Sequence, residues 1–102
     1  MIRIDKENKY SIKYTSEFKK NYKKILKQGK DISKFVYVLS KLANGLELEE
    51  KYHNHLLTNS KKYKNCGECH IEPDWLLVYQ YIENELILVL VSTGSHSELF
   101  NK

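Results

Sequence analysis

Two apolar runs in the C-terminal third constrain this chain more than any other feature. Trp75-Leu76-Leu77-Val78-Tyr79-Gln80-Tyr81-Ile82 and Leu86-Ile87-Leu88-Val89-Leu90-Val91 are separated only by Glu83-Asn84-Glu85. Runs rich in β-branched and aromatic residues, with a short polar break between them, predict two strands joined as a hairpin. Both are nearly continuously apolar, so each is expected in the middle of a sheet with both faces covered. Cover must come from elsewhere in the chain, and the N-terminal half has the right periodicity.

Tyr10-Ser11-Ile12-Lys13-Tyr14 alternates large apolar and polar side chains, the period of a half-buried strand. Thr15 or Ser16 then offers a hydroxyl cap, with Glu17 in the first turn of a helix. Phe18, Tyr22, Ile25 and Leu26 make an apolar stripe at helical spacing, and Gln28-Gly29-Lys30 closes it. Asp31 or Ser33 can cap a second helix whose buried face is Ile32, Phe35, Val36, Val38, Leu39 and Leu42, stopped by Asn44-Gly45. So short a connection predicts an antiparallel helical hairpin. Leu46 to about Lys62 is polar and reads as a long loop, a kind that tends to be functional. Tyr63 to Ile71 is a weaker strand, Thr93-Gly94-Ser95-His96 breaks the pattern, and Ser97 to Phe100 fits one helical turn. The expected class is α+β, in the order strand, helical hairpin, three or more strands. The sheet is expected to be mostly antiparallel and twisted, covered by two helices, in a single domain over residues 1–102.

The net charge of +4 conceals an asymmetry. Residues 1–41 hold 12 Lys or Arg against 4 Asp or Glu, whereas residues 42–102 hold 5 against 9. A strongly basic half predisposes a small domain toward a polyanion, with Lys19, Lys20, Lys23, Lys24 and Lys27 on one helix and Lys61, Lys62 and Lys64 in the loop. No apolar run approaches the ~18 residues a membrane span requires. The start is charged throughout and lacks the apolar centre of a secretory signal, so a cytoplasmic location is expected. Two cysteines there make no disulfide framework. Cys66-Gly67-Glu68-Cys69-His70 spells the C-x-x-C-H of haem attachment, and with two histidines it offers nominal zinc ligands. The adjacent Cys69 and His70 would point to opposite faces of a strand, so the expectation is no metal and no cofactor.

The four histidines, His53, His55, His70 and His96, all lie outside the two helices, and Asp74 adds a carboxylate just past His70. Imidazoles move protons near neutral pH, and nearby lysines can meet phosphates. That composition suits cleavage of RNA without a metal, in which the 2′-hydroxyl attacks phosphorus while an acid protonates the departing 5′ oxygen.

His70-Ile71-Glu72-Pro73-Asp74-Trp75-Leu76-Leu77-Val78-Tyr79, followed by Thr93-Gly94-Ser95-His96-Ser97-Glu98-Leu99-Phe100, closely resembles the YafQ-type branch of the RelE/ParE toxin superfamily. These are toxins of bacterial type II toxin–antitoxin pairs. The resemblance implies a RelE-like fold and a ribosome-dependent mRNA endonuclease that cuts codons in the A site, in contact with ribosomal RNA. It also implies a cognate DinJ/RelB-like antitoxin, whose binding surface is expected to include the basic helices. Carried over by position, the family's functional residues fall on His55, His70, Asp74, His96 and Phe100. By that analogy His96 is the general acid, His70 or Asp74 activates the 2′-hydroxyl, His55 assists or holds phosphate, and Phe100 orients a base. Trp75 is expected to pack beneath them. Ser92 stands where the family usually places an Arg before Thr-Gly, and Leu56 where a Pro commonly follows the His55 position. Either Lys61, Lys62 or Lys64 then reaches in from the loop to supply the missing cation, or the enzyme is slower. The alternative is a toxin or binding protein on the same scaffold that acts on another target such as DNA gyrase, without ribonuclease activity.

Overall fold

The computed structural model describes residues 8–100, so the charged N-terminal segment read above lies outside the described residues. Strand β1 (Ser11–Tyr14) leads into helices α1 (Ser16–Lys27) and α2 (Ile32–Ala43). Then come β2 (His55–Leu56), β3 (Gly67–Glu72), β4 (Trp75–Ile82), β5 (Ile87–Gly94) and the short helix α3 (His96–Phe100). The five strands run β1-β5-β4-β3-β2 across one sheet, antiparallel except for the β1–β5 pair.

The two apolar runs become β4 and β5, each with a strand on either side, as burial on both faces demands. The Glu83–Glu85 connection is a single 3₁₀ turn closed by Leu86 at φ 52°. One sheet face meets α1 and α2 through Phe18, Tyr22, Phe35, Val38 and Leu39, packed with Cys69, Trp75, Leu77, Leu88 and Leu90. Phe18 and Phe35 stack with ring centres 6.0 Å apart, joining the helices to each other as well as to the sheet. Full burial of side chains of this size stabilises by about 1.5–3 kcal/mol each. The other face carries a smaller cluster of Tyr63, Cys66, Leu76, Val78 and Leu99.

Thr15 fixes the passage from strand to helix. Its hydroxyl accepts from the Phe18 N–H at 2.9 Å and donates to the Val91 carbonyl at 2.7 Å, so one side chain caps α1 and anchors it to β5. Asp31, and not Ser33, caps α2 by accepting from the Ser33 N–H at 3.0 Å.

Four expectations need correction. Leu26 and Val36 do not face the core, being 50% and 45% exposed. Each directly follows a buried residue, Ile25 or Phe35, and successive helical side chains are turned well apart, so only one of each pair can face inward. The third strand begins at Gly67, while Tyr63 is buried from a loop. β5 continues through Gly94, and α3 opens at His96 instead of Ser97. The long loop also holds a 3₁₀ turn at Glu50–Tyr52 and the strand β2, which paired partners far along the chain had to reveal.

The C-x-x-C-H run divides between the layers. Cys66 packs into the smaller cluster and Cys69 into the helical core, so the two thiols cannot meet one ion or one porphyrin edge. Burial pushes the Cys66 thiol up and holds Cys69 up at about 12, with the Glu68 carboxylate adding to the latter.

Candidate active site

The side chains of interest gather on the sheet face away from α1 and α2. Glu68 and His70 are two residues apart on β3 and therefore share a face. Their register partners, Val78 and Leu76, belong to the smaller cluster. β2 places His55 opposite Glu68. One oxygen, Glu68 Oε1, lies 3.3 Å from His55 Nε2 and 3.6 Å from His70 Nε2. The Glu68 side chain is only 6% exposed, and a buried carboxylate is costly unless cationic or N–H groups face it. The two imidazoles face that oxygen from β2 and from β3 itself. His55 Nδ1 sits 2.7 Å from the His53 carbonyl, which favours an N–H there donating to that oxygen.

The loop bearing His53 and His55 is held by Tyr79. Its hydroxyl donates to Asn54 Oδ1, and its ring passes so close to Gly67 that a Cβ there would lie 2.6 Å from Tyr79 Cζ. Burial raises the Tyr79 phenol to about 12, so it remains a donor at any physiological pH.

α3 supplies the other wall. Ser95 and Glu98 form a reciprocal capping box: the Glu98 N–H donates to Ser95 Oγ at 3.2 Å, and the Ser95 N–H donates to Glu98 Oε1 at 2.8 Å. Gly94 precedes it at φ 155°, where a Cβ would stand 2.8 Å from that same Glu98 oxygen. Lys24 pairs with Glu98 and ties α1 to this turn. The Thr-Gly-Ser-His-Ser-Glu run is thus a device for starting a helix at His96.

Asp74, in the turn between β3 and β4, receives that helix start. Its Oδ1 accepts from the His96 N–H at 2.9 Å and lies 2.8 Å from His96 Nδ1. The backbone N–H first, and then the imidazole, hold the Asp74 carboxyl below its ordinary value. A carboxylate so engaged is a weak base. It sets the His96 tautomer instead, leaving Nε2 as the free nitrogen. The His53, His70 and His96 rings stand in a row, with centres 5.5 Å and 5.4 Å apart.

The structure therefore brings together His55, His70, Asp74 and His96. Phe100 lies one turn beyond His96 on α3, half-buried, its ring 5.7 Å from Tyr63 in an edge contact. Trp75 is buried beneath, its indole N–H donating to Thr93 Oγ1 at 3.0 Å. Lys19, Lys20, Lys23, Lys24 and Lys27 are exposed on α1, whose buried stripe packs on the other sheet face. Among the loop lysines, Lys62 comes nearest the Ser92 position: its Nζ is 3.9 Å from Glu17 Oε2. Lys61 is exposed, and Lys64 borders a separate cavity with Leu56 and Asn65.

Ser92, at the position of the expected Arg, is fully buried. Its hydroxyl donates to Glu17 Oε2 at 2.6 Å, and the Tyr63 hydroxyl donates to the same carboxylate oxygen at 3.0 Å. Asn21 Oδ1 accepts from the Thr93 N–H at 3.0 Å, so α1 closes the edge of β5 that β1 leaves open.

Two members of the cluster escape a reading by sequence alone. Glu68 had one signal, its two-residue spacing from His70. His53 had only its position beside His55, and nothing in its neighbours says that its ring reaches His70.

Comparison with known proteins identifies the family of this fold. Residues 10–101 match the family described as the bacterial toxin of a type II toxin–antitoxin system, YafQ. The mRNA interferase toxin YafQ of Escherichia coli strain B / BL21-DE3 is 36% identical over 90 residues, covering 87% of this chain and 94% of that protein. Among solved structures, a metal-bound toxin from Helicobacter pylori superposes with a TM-score of 0.83 at 41% identity, covering 89% of this chain and 99% of the other. YafQ in the E. coli DinJ–YafQ toxin–antitoxin complex gives 0.79 at 33%, covering 90% and 98%. By its sequence over nearly its whole length and by its fold, this chain belongs to the YafQ family of bacterial type II toxins.

Proposed function

We propose that this chain is the toxin of a type II pair and an endoribonuclease that cuts mRNA at codons in the ribosomal A site. The observation that carries the reading is the convergence of His70 and the Asp74–His96 pair, from β3, the following turn and α3, on one exposed surface. His70 takes the proton of the 2′-hydroxyl, whose oxygen attacks phosphorus. The bond from phosphorus to the 5′ oxygen breaks, and His96 Nε2 delivers a proton to that oxygen. The products are a 2′,3′-cyclic phosphate and a 5′-hydroxyl end.

Asp74 was one of two candidates for the base. Its engagement by His96 and its lowered pKa favour His70 for that task and leave Asp74 to orient the acid. His55 has Nδ1 on the His53 carbonyl and Nε2 facing Glu68, so it assists by placing Glu68 beside His70, and Phe100 offers a face to a base. The exposed α1 lysines meet ribosomal RNA, so affinity falls steeply with salt. The mRNA is positioned by the ribosome, and few base contacts are needed. A relative of this chain is found in complex with the antitoxin DinJ, and a cognate antitoxin of that kind is this chain's expected partner.

Primer extension on mRNA from induced cells tests the reading. The chain produces translation-dependent cuts and growth arrest, and His96→Ala removes both. Toxicity that persists unchanged with His96→Ala refutes the acid role and returns the gyrase-type alternative.

A further inference from the structure

We infer that a pocket beside His70 holds the nucleotide next to the scissile phosphate and discriminates its base, an inference that rests on the ribonuclease reading above. The pocket has a volume of about 620 Å³ and is lined by Lys34, Lys51, Tyr52, His53, His70 and Glu72 among others. That size falls within the ~300–1,000 Å³ typical of small-ligand sites. It opens directly onto the candidate active site, because His70 belongs to both and the His53 ring stands 5.5 Å from His70. An RNA strand with its reacting phosphate at His70 therefore has its neighbouring nucleotide at this pocket.

The lining has the chemistry of a nucleotide site. Lys34 comes from α2 and Lys51 from the 3₁₀ turn, and both are exposed; Lys51 meets phosphate charge while Lys34 stays on Glu72. Tyr52 is half-buried against Tyr37, with ring centres 6.1 Å apart. The Lys51 ammonium rests 5.3 Å from the centre of the Tyr52 ring. A nucleobase stacking on that ring displaces the ammonium toward the strand's phosphate, exchanging one cation–π contact for a stacked base and an ion pair.

Glu72 supplies the discrimination. Lys34 Nζ holds its Oε2 at 2.9 Å and Lys30 Nζ stands 3.9 Å from its Oε1, so two ammonium groups hold the carboxylate at the pocket wall. An ionised carboxylate only accepts hydrogen bonds. It favours bases carrying an exocyclic amino group, which are adenine, cytosine and guanine, over uracil, whose one Watson–Crick donor, N3–H, is flanked by two carbonyls that a carboxylate repels. Stacking on Tyr52 is indifferent to base identity, so the two residues make separable contributions.

The test uses ribosomes programmed with messages that differ only in the base on either side of the cut, and measures kcat and KM for the purified chain. The wild-type chain is expected to favour amino-bearing bases over uridine by roughly tenfold at one of the two positions. Glu72→Gln, which can both donate and accept, brings that ratio within about twofold while cleavage continues. Tyr52→Leu raises KM roughly tenfold for every base and leaves the ratio unchanged. An unchanged base ratio with Glu72→Gln, or an unchanged KM with Tyr52→Leu, overturns the inference. Should Glu72→Gln disturb the turn before β4, seen as a lowered melting temperature, the wild-type base ratio decides the discrimination and Tyr52→Leu decides the occupancy, and a wild-type chain with no preference at either position overturns the inference. A wild-type chain that cuts none of these messages overturns the ribonuclease reading itself, and the pocket's role with it.

Discussion

Replacing Asp74 by Asn separates two roles that the sequence leaves open. Asn keeps an oxygen that can accept from the His96 N–H, now 2.9 Å from the carboxylate, so the start of α3 survives the change. What disappears is the negative charge beside His96 Nδ1 and the fixed choice of tautomer. A positioned general acid contributes about 10²–10⁴-fold to rate, which bounds the loss expected from His96→Ala. The Asp74 and His96 side chains are 67% and 52% exposed, so water screens much of their attraction. Asp74→Asn should therefore cost only roughly tenfold in kcat, with KM little changed. The deciding measurement is a double-mutant cycle, read as single-turnover cleavage of ribosome-bound message. If Asp74 acts through His96, Asp74→Asn has less than about threefold effect once His96 is Ala, because residues working as a unit are non-additive. If Asp74 were itself the base, its loss would cost a similar large factor in both backgrounds. Additive losses refute the positioning role.

Three further outcomes follow from the same coordinates. Folding lowers the Asp74 pKa, so the stability it contributes is full above its ordinary value of 3.8 and is lost as pH falls through the lower folded value. Thermal melts should then show a gap between wild type and Asp74→Asn that is constant at neutral pH and closes only in acid. Cys69, fully buried with its thiol held up at about 12, and Cys66, also raised, should resist alkylation at pH 8 in the native protein and react rapidly in guanidinium; fast native labelling of both would contradict the packing. Changing Lys19, Lys23 and Lys27 together to Gln should reduce the salt slope of ribosome binding by roughly two, at ~0.7–0.9 per phosphate contact, without lowering the melting temperature. An unaltered slope would remove α1 from the interface.

Local chemistry made much of this molecule legible before any coordinates. Hydroxyl and carboxylate caps at Thr15 and Asp31, helical stripes through Phe18 and Phe35, and the burial demanded by Trp75–Ile82 are all properties of short windows. Motif resemblance placed His70, Asp74 and His96 in one site, and the structure does bring them together. Contacts between distant segments stayed hidden. β2 is two residues long and exists because His55 and Leu56 find Glu68 and Gly67. The burial of Glu68 depends on that pairing, and the reach of His53 depends on the Tyr79–Asn54 contact. Ser92 reads as a lost cation in sequence. In space it is a buried hydroxyl that Glu17, Asn21 and Tyr63 surround, joining three segments of the chain.

The parallel pairing of β1 with β5 bears on when the fold is complete. Ser11 aligns with Ile87 and Tyr14 with Leu90, so the first strand has no ladder partner until residues 87–90 have been made. Pairing across so great a separation is slow and comes late in folding. His96 follows β5 directly, and the edge that Thr15 and Asn21 seal belongs to that same strand. A chain interrupted anywhere before β5 thus lacks both the sheet's closure and the His96 that pairs with Asp74. The fold is sealed by one late event, the meeting of its first and last strands.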